Sequence, residues 1–317
     1  MNLHRIKIHP RSPWRTPWQA DTLMGALCTT CAHCLGVDVL RAKLIDPMRA
    51  GHPPFVLSDA FPSDLLPLPT MLRLADLPAG GDAKTIKRAK WLSAADFRKA
   101  CSGAQLSSDA YVQDLTRTEV SRHNTLSRDS GGSPDSGGLF ARTDTALATE
   151  TETLALYFRA IDETATELLL DLLYELSLTG FGADIATGRG QFDIDGDPVR
   201  ADELDDPMDG ANGVVVLSTF QPAPNDSTSG CWEAFSKFGK VGPGLGLTDV
   251  RKNTMTLLRP GACFASTTCR SFLGHAISMD RFLCRASVDE LRSRGIELIH
   301  PAFGLAVPAQ IGLESPQ

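Results

Sequence analysis

Residues 179–192 read TGFGADIATGRGQF and gather Gly180, Gly182, Gly188 and Gly190 around a single cation, Arg189, with Gly196 just beyond. A leucine-rich segment of helical character runs into this stretch, and a strand-like segment leaves it. Glycine lets a backbone turn through positive φ, or approach another chain closely, because no Cβ is in the way. Glycines clustered behind a helix therefore build either an elaborate C-cap or a cradle whose N–H groups face a phosphate. From these residues alone both readings stay open. The common nucleotide loops are disfavoured, because no GK[ST] closes the stretch and the GxGxxG spacing is missing.

The order of elements around it is informative. Residues 3–9 make a short strand with Arg5 outward and Ile6 and Ile8 inward. Thr16-Pro17-Trp18-Gln19 has the form of a capping box, and Asp21 offers an alternative cap; the helix that follows runs to about Gly36. A strand at residues 55–57 leads into a proline-punctuated loop, and residues 84–100 read as a basic helix. Residues 116–142 read as two strand-like arms around a Gly/Ser/Pro tip, which predicts a protruding hairpin. A strand at 153–159, a helix from a Thr164/Glu167 capping box to Leu178, and a strand at 191–194 complete the run. The fold class expected is α+β, with the βαββαβ order of ferredoxin-like and RRM domains over residues 1–200 and an insertion at 84–142. Acidic residues 201–212 read as a linker. Strands expected at 214–220, 231–240, 255–264 and 303–308 place a second unit over 213–317.

Charge and chemistry narrow the function. A net charge of −7 argues against a free-standing, non-specific nucleic-acid binder but leaves room for a local basic groove. Two candidate basic segments stand out: Lys84, Lys87, Arg88 and Lys90 beside Trp91, and Arg117, Arg122, His123 and Arg128 on the expected hairpin. The former suits tracking a phosphate chain and stacking a base. Arg189 would fork onto a phosphate or, alternatively, cap carbonyls or pair with Asp184. Gln19, Asn124 and Gln191 are the amides nearest the expected groove. His123 is the one candidate for acid–base chemistry and has no evident partner. Asp129, Asp135 and Asp144 read as solvated. Cys28, Cys31 and Cys34 with His33 invite a metal reading, but on an amphipathic helix they read as small core residues, so no metal or cofactor is expected. The eight cysteines read as reduced thiols, and the start, MNLHRIKIHPRSPW, shows no signal peptide; a cytoplasmic protein without membrane contact is the expectation.

Several stretches then fall in a familiar order: TPWQADTLMGAL, FVLSDAFPSDLLPLP, GGLF at 137–140 and GFGADIATGRGQF, with weaker echoes in STFQP, KFGKVG and HPAFGLAVP. The set resembles the RAMP-superfamily subunit that caps the 5′ end of the guide RNA in type III-A CRISPR Csm effector complexes, the fourth subunit of that complex. It departs from the family pattern at Ala20, where a serine is expected. The resemblance implies two ferredoxin-like RAMP units, a glycine-rich loop and a thumb-like hairpin. It implies binding of the crRNA 5′ handle, contact with target RNA near the handle–guide junction, and contact with the large polymerase/nuclease subunit and the first backbone RAMP subunit. The family is generally neither the target-cleaving subunit nor the cyclic oligoadenylate synthase. Carried onto this chain, Gly180, Gly182, Ala183, Thr187, Gly188, Arg189 and Gly190 would hold the handle backbone. Arg117, Arg122, His123, Asn124 and Arg128 would lie along the hairpin. Two other functions remain in view: a metal-independent precursor-crRNA endoribonuclease using His123, and a protein-only adaptor in antiviral defence.

Overall fold

The computed structural model describes residues 1–74, 88–133, 138–149, 152–242, 244–247, 249–266 and 270–312. Lys84, Lys87 and Asp135 lie outside the described residues. The chain is α+β. Its first sheet is antiparallel and four-stranded: Leu3–Pro10 (β1), Phe55–Pro62 (β2), Leu154–Ala160 (β5) and Phe192–Arg200 (β6), in the order β2-β5-β1-β6. Helix Ala20–Cys34 (α1) joins β1 to β2, and Glu163–Thr179 (α2) joins β5 to β6. Every residue of β5 is buried, as the apolar run Leu154–Phe158 requires of a strand covered on both faces, and Arg159 is buried with it. The alternation of β1 breaks between Leu3 and Ile6 where its register with β6 shifts, and Gly196 sits in the shifted part of β6.

Strands Thr116–Asn124 (β3) and Leu139–Leu147 (β4) pair along their full length, separately from both main sheets. The second sheet runs Gly230–Cys231, Cys263–Ala265 (β8), Gly213–Val216 (β7), Ile299–Ala309 (β10) and Phe272–Ser278 (β9) in spatial order. A separate two-stranded ribbon pairs Ala234–Lys237 with Met255–Leu258. The strand expected over 255–264 is thus two strands, split at Pro260-Gly261, and the one over 231–240 is likewise divided between a sheet and the ribbon. One hydrophobic core is continuous from Leu3, Ile6 and Phe158 to Val215, Leu305 and Val307. The acidic segment is not a loose tether: Asp202–Asp205 is a helical turn that buries Leu204, and Asp205 accepts from the Leu3 N–H and pairs with Arg159.

Helix boundaries differ from the sequence reading in the basic segment and at α2, while α1 starts between the two expected caps, Thr16 and Asp21, on a cap that is neither of them. Among the described residues the basic segment is helical at Arg88, extended at Trp91–Ser93 and helical again over Ala94–Cys101, where the Ser93 hydroxyl accepts from the Asp96 N–H as the cap. Helix α2 starts at Glu163, since the Asp162 carboxylate reaches the Ala165 N–H ahead of Thr164. Helix α1 starts at Ala20, and its cap Gln19 contributes no side-chain bond. The cap comes from another strand instead. In β2 the ladder to β5 is interrupted between Leu57 and Ala60; there the Ser58 hydroxyl accepts from the Tyr157 N–H, and Asp59 turns toward α1. Its Oδ1 accepts from the Ala20 N–H at 2.8 Å and the Thr219 N–H at 2.7 Å, while Oδ2 accepts from the Thr219 hydroxyl at 2.7 Å. Ser218 completes the staple by donating to the Leu57 carbonyl and accepting from the Leu305 N–H. Burial pushes the Asp59 carboxyl up to about 6 against the pull of those three donors. The SDAFP and STFQP stretches thus lock the two sheets and α1 together. Among the described residues no helix is long and apolar enough to cross a membrane.

Candidate nucleic-acid interface

The glycine stretch leaves α2 and doubles back on itself. The Gly180 N–H bonds to the Leu176 carbonyl, the Phe181 N–H to Gly190, the Gly190 N–H to Pro13 and the Gln191 N–H to the Ser12 hydroxyl. The Ala183 N–H is taken by the hydroxyl of Thr16, the residue read from sequence as a helix cap. At the root, therefore, the N–H groups point inward. Gly190 has φ +68, and a Cβ there would lie 2.0 Å from the Phe181 carbonyl oxygen. The Phe181 ring is buried 4.5 Å from Trp18, which meets Phe192 edge-on. Beyond the root, Asp184 adopts a left-handed conformation and Ile185–Thr187 make one 3-10 turn that ends at Gly188. Nothing lies within 4 Å of a Cβ placed at Gly188, so this end of the loop faces open space.

Among the described residues the Arg189 side chain meets neither a carbonyl nor Asp184. Its Nε donates to Asp144 Oδ2 at 2.8 Å, and Asp144, read from sequence as solvated, is buried at the base of β4. Arg15 takes the other Asp144 oxygen at 2.6 Å and also pairs with Asp184, whose Oδ2 lies 3.3 Å from Arg142 Nη1. Burial pulls the Asp144 carboxyl upward, but the hydrogen bonds from Arg189 and Arg15 outweigh it and hold the group below the ordinary carboxylate value. Three guanidiniums thus converge on two carboxylates, leaving one excess positive charge and unused N–H donors where the hairpin meets the loop. Trp14 pairs with Thr145 through both backbone groups and ties the hairpin to the connection between β1 and α1.

Pairing register sorts the hairpin residues into two faces. Arg117, Glu119, Ser121 and His123 share a face with Phe140, Arg142 and Asp144, the face that meets the glycine loop. On it Phe140 stacks with His123, centroids 5.5 Å apart, and carries the Arg142 guanidinium 5.1 Å from its centroid. Arg122 and Asn124 lie on the opposite face with the exposed Val120 and Leu139. Arg128 is exposed in the tip, and Asn124 bonds Ser133 there. Arg117 pairs with Glu119. His123 has Ser121 as its hydrogen-bond partner at 2.9 Å rather than a carboxylate.

The remaining candidates sit elsewhere or bond within the glycine loop itself. Arg88 is exposed, Lys90 pairs with Asp114, and Trp91 packs half-buried on Phe61 with its strand bonded to Leu65–Pro67. Gln19 accepts from Lys237 in a buried cluster. Gln191 reaches the Thr179 carbonyl, and Thr187 bonds back to Asp184. Cys31 is in the core, Cys28 is half-buried and Cys34 is exposed, its sulfur 3.8 Å from Glu175. Sequence reasoning missed Arg15, Phe140 and Arg142. The last two stand in the GGLFAR stretch, and their alternation on the strand of an expected hairpin was the signal that could have found them.

No protein-family model matches the sequence, and no curated protein matches it. Solved structures do. A chain in the crystal structure of a Csm1–Csm4 cassette in complex with pppApA matches with a TM-score of 0.62 at 17% identity, over 100% of both chains. The same cassette in complex with cA4 gives 0.61 at 17% identity, again over 100% of both. A chain of the Csm3–Csm4 subcomplex of a type III-A CRISPR-Cas interference complex gives 0.61 at 12% identity, over 96% of this chain and 99% of that one. Csm4 is the component those assemblies have in common. The fold of this chain is like that of the chains it matches in those Csm4-containing assemblies.

Proposed function

We propose that this chain is a non-catalytic, RNA-binding subunit of a type III-A CRISPR effector complex. In this reading the four-stranded sheet with α1 and α2 is a ferredoxin-like RAMP unit, the second sheet is a degenerate copy, and β3–β4 is a thumb. The chain holds the 5′ handle of the crRNA and meets target RNA near the handle–guide junction. It links the large polymerase/nuclease subunit to the first backbone RAMP subunit, as the pairing of the structural neighbours with Csm1 and Csm3 supports.

One observation carries the reading: the arginine seam of Arg15, Arg142 and Arg189, which joins the glycine loop to the stacked face of the hairpin. Guanidiniums fork onto phosphates, and an Arg-backed aromatic suits an unstacked base. The aspartates fix the forks in place, and all three arginine side chains stay partly exposed. Arg142 and Arg189 together replaced by Ala would lower retention of handle-bearing guide RNA in the reconstituted complex. The slope of log affinity against log salt would also flatten by about 0.7 for each phosphate that is no longer neutralised. Unchanged retention and slope would overturn the proposal.

A further inference from the structure

The ribbon that pairs Ala234–Lys237 with Met255–Leu258 continues past its last regular pair. The Lys252 N–H bonds to the Gly239 carbonyl, Lys240 bridges Arg251, and the Val241 N–H bonds to Val250. Lys240 and Arg251 are therefore directly opposite one another on antiparallel strands, and both are exposed. Like charges in that position repel and destabilise the pairing. Asp249 accepts from the Arg251 backbone N–H rather than its guanidinium, and among the described residues no ion pair joins either side chain. Two strand positions before Lys240, on the same face, stands Phe238 with 78% of its surface exposed.

The ribbon is not a loose flap. Its inward Lys237 donates to Gln19 Oε1, both Asp21 oxygens and Thr22 Oγ1, all within 2.8 Å, at the start of α1. Thr16, a few residues upstream, holds the glycine loop through the Ala183 N–H. The ribbon and the loop thus rest on the two ends of the same short segment.

We propose that the outward face of this ribbon, Phe238 with the opposed Lys240 and Arg251, is a second contact surface for single-stranded RNA. An RNA phosphate between the two cations removes their repulsion, and Phe238 offers its ring to an adjacent base. The proposal rests on the RNA-binding reading of the chain and extends it to a part of the fold remote in sequence from the glycine loop.

The test uses the full chain, alone and with its partner subunits, and a short fluorescein-labelled single-stranded RNA carrying 4-thiouridine. Crosslinked peptides from the ribbon are expected beside those from the hairpin and loop. Crosslinks confined to the hairpin and loop overturn the ribbon surface alone; crosslinks nowhere overturn both proposals. Lys240→Glu turns a repelling pair into an attracting one. It is expected to raise Tm by about 1 °C while flattening the salt slope by about 0.7. Phe238→Ala is expected to weaken binding about fivefold or more with the slope unchanged. If both variants keep RNA affinity and salt slope, the surface does not hold RNA, and loss of a partner subunit from the K240E complex would then assign it to protein contact.

Discussion

Arg189 is tied to Asp144 through a 2.8 Å hydrogen bond from Nε, so the one cation of the glycine loop is anchored to the base of the hairpin. Asp144 serves Arg15 in the same way, and its charge is buried. Removing the shared carboxylate should therefore loosen both elements. Asp144→Ala is expected to lose about 1–3 kcal/mol of stability, discounted for the partial exposure of both arginines. Arg189→Ala, which leaves Asp144 paired with Arg15, should lose about 1 kcal/mol or less. Urea unfolding of the two variants measures the difference, and equal losses would contradict a shared anchor.

Asp59 titrates at about 6 in the folded chain against an ordinary value of 3.8. The folded state holds that proton more tightly, so this group favours folding at low pH and loses that contribution as pH rises from about 4 to about 6. Asp59→Asn keeps an acceptor for the Ala20 and Thr219 N–H groups and abolishes the titration. Wild type should lose stability relative to D59N across that window in urea titrations; parallel profiles would mean that Asp59 does not titrate there. Asp59→Ala strands three buried donors and should cost about 3 kcal/mol or more.

Two glycines of one loop should respond differently to the same change. Gly190→Ala forces a Cβ to 2.0 Å from a backbone oxygen, so the loop root must open, and a loss of about 3 kcal/mol or more is expected. Gly188→Ala meets open space and bears only the strain of a positive φ, about 1 kcal/mol. Thermal denaturation of the pair separates packing from conformational strain.

Lys237 is the cation that satisfies Asp21, whose side chain is fully buried. Burial raises the Asp21 carboxyl, but hydrogen bonding and charge from His300 and Lys237 bring it below its ordinary value. Lys237→Met should cost about 3 kcal/mol, because it removes the ammonium paired with that buried charge and leaves it with His300. A variant as stable as wild type in urea would show that the cluster does not hold the ribbon to α1.

His123 stacks on Phe140 and has the Ser121 hydroxyl rather than a carboxylate as its hydrogen-bond partner. Repeat RNA incubated with the chain in the absence of metal should stay intact, with wild type and His123→Ala alike. Cleavage that disappears in H123A would reassign the chain as a nuclease.

What was legible in the sequence was local. Period-2 and period-3.6 patterning located β1, α1, β5 and α2, and the Gly/Ser/Pro tract between polar arms located the hairpin, because each signal lies within a few residues of itself. The second sheet was less legible, since its short strands are interrupted by glycine and proline and β9 is only partly alternating. The site was half visible. Arg189 and the glycines stood out by composition, whereas Arg15 and Arg142 look like ordinary surface cations until the fold sets them beside Asp184 and Asp144.

The sequence by itself determined the order of β1, α1, β2, the hairpin, β5, α2 and β6 and the position of the glycine turn, since these follow from backbone sterics and local patterning. Only the tertiary structure decided which groups those elements serve. Thr16 caps no helix and holds a loop; Asp59 caps a helix from another strand and reaches Thr219, 160 residues away. A buried donor must find an acceptor wherever packing brings one, and sequence separation carries no information about that partner.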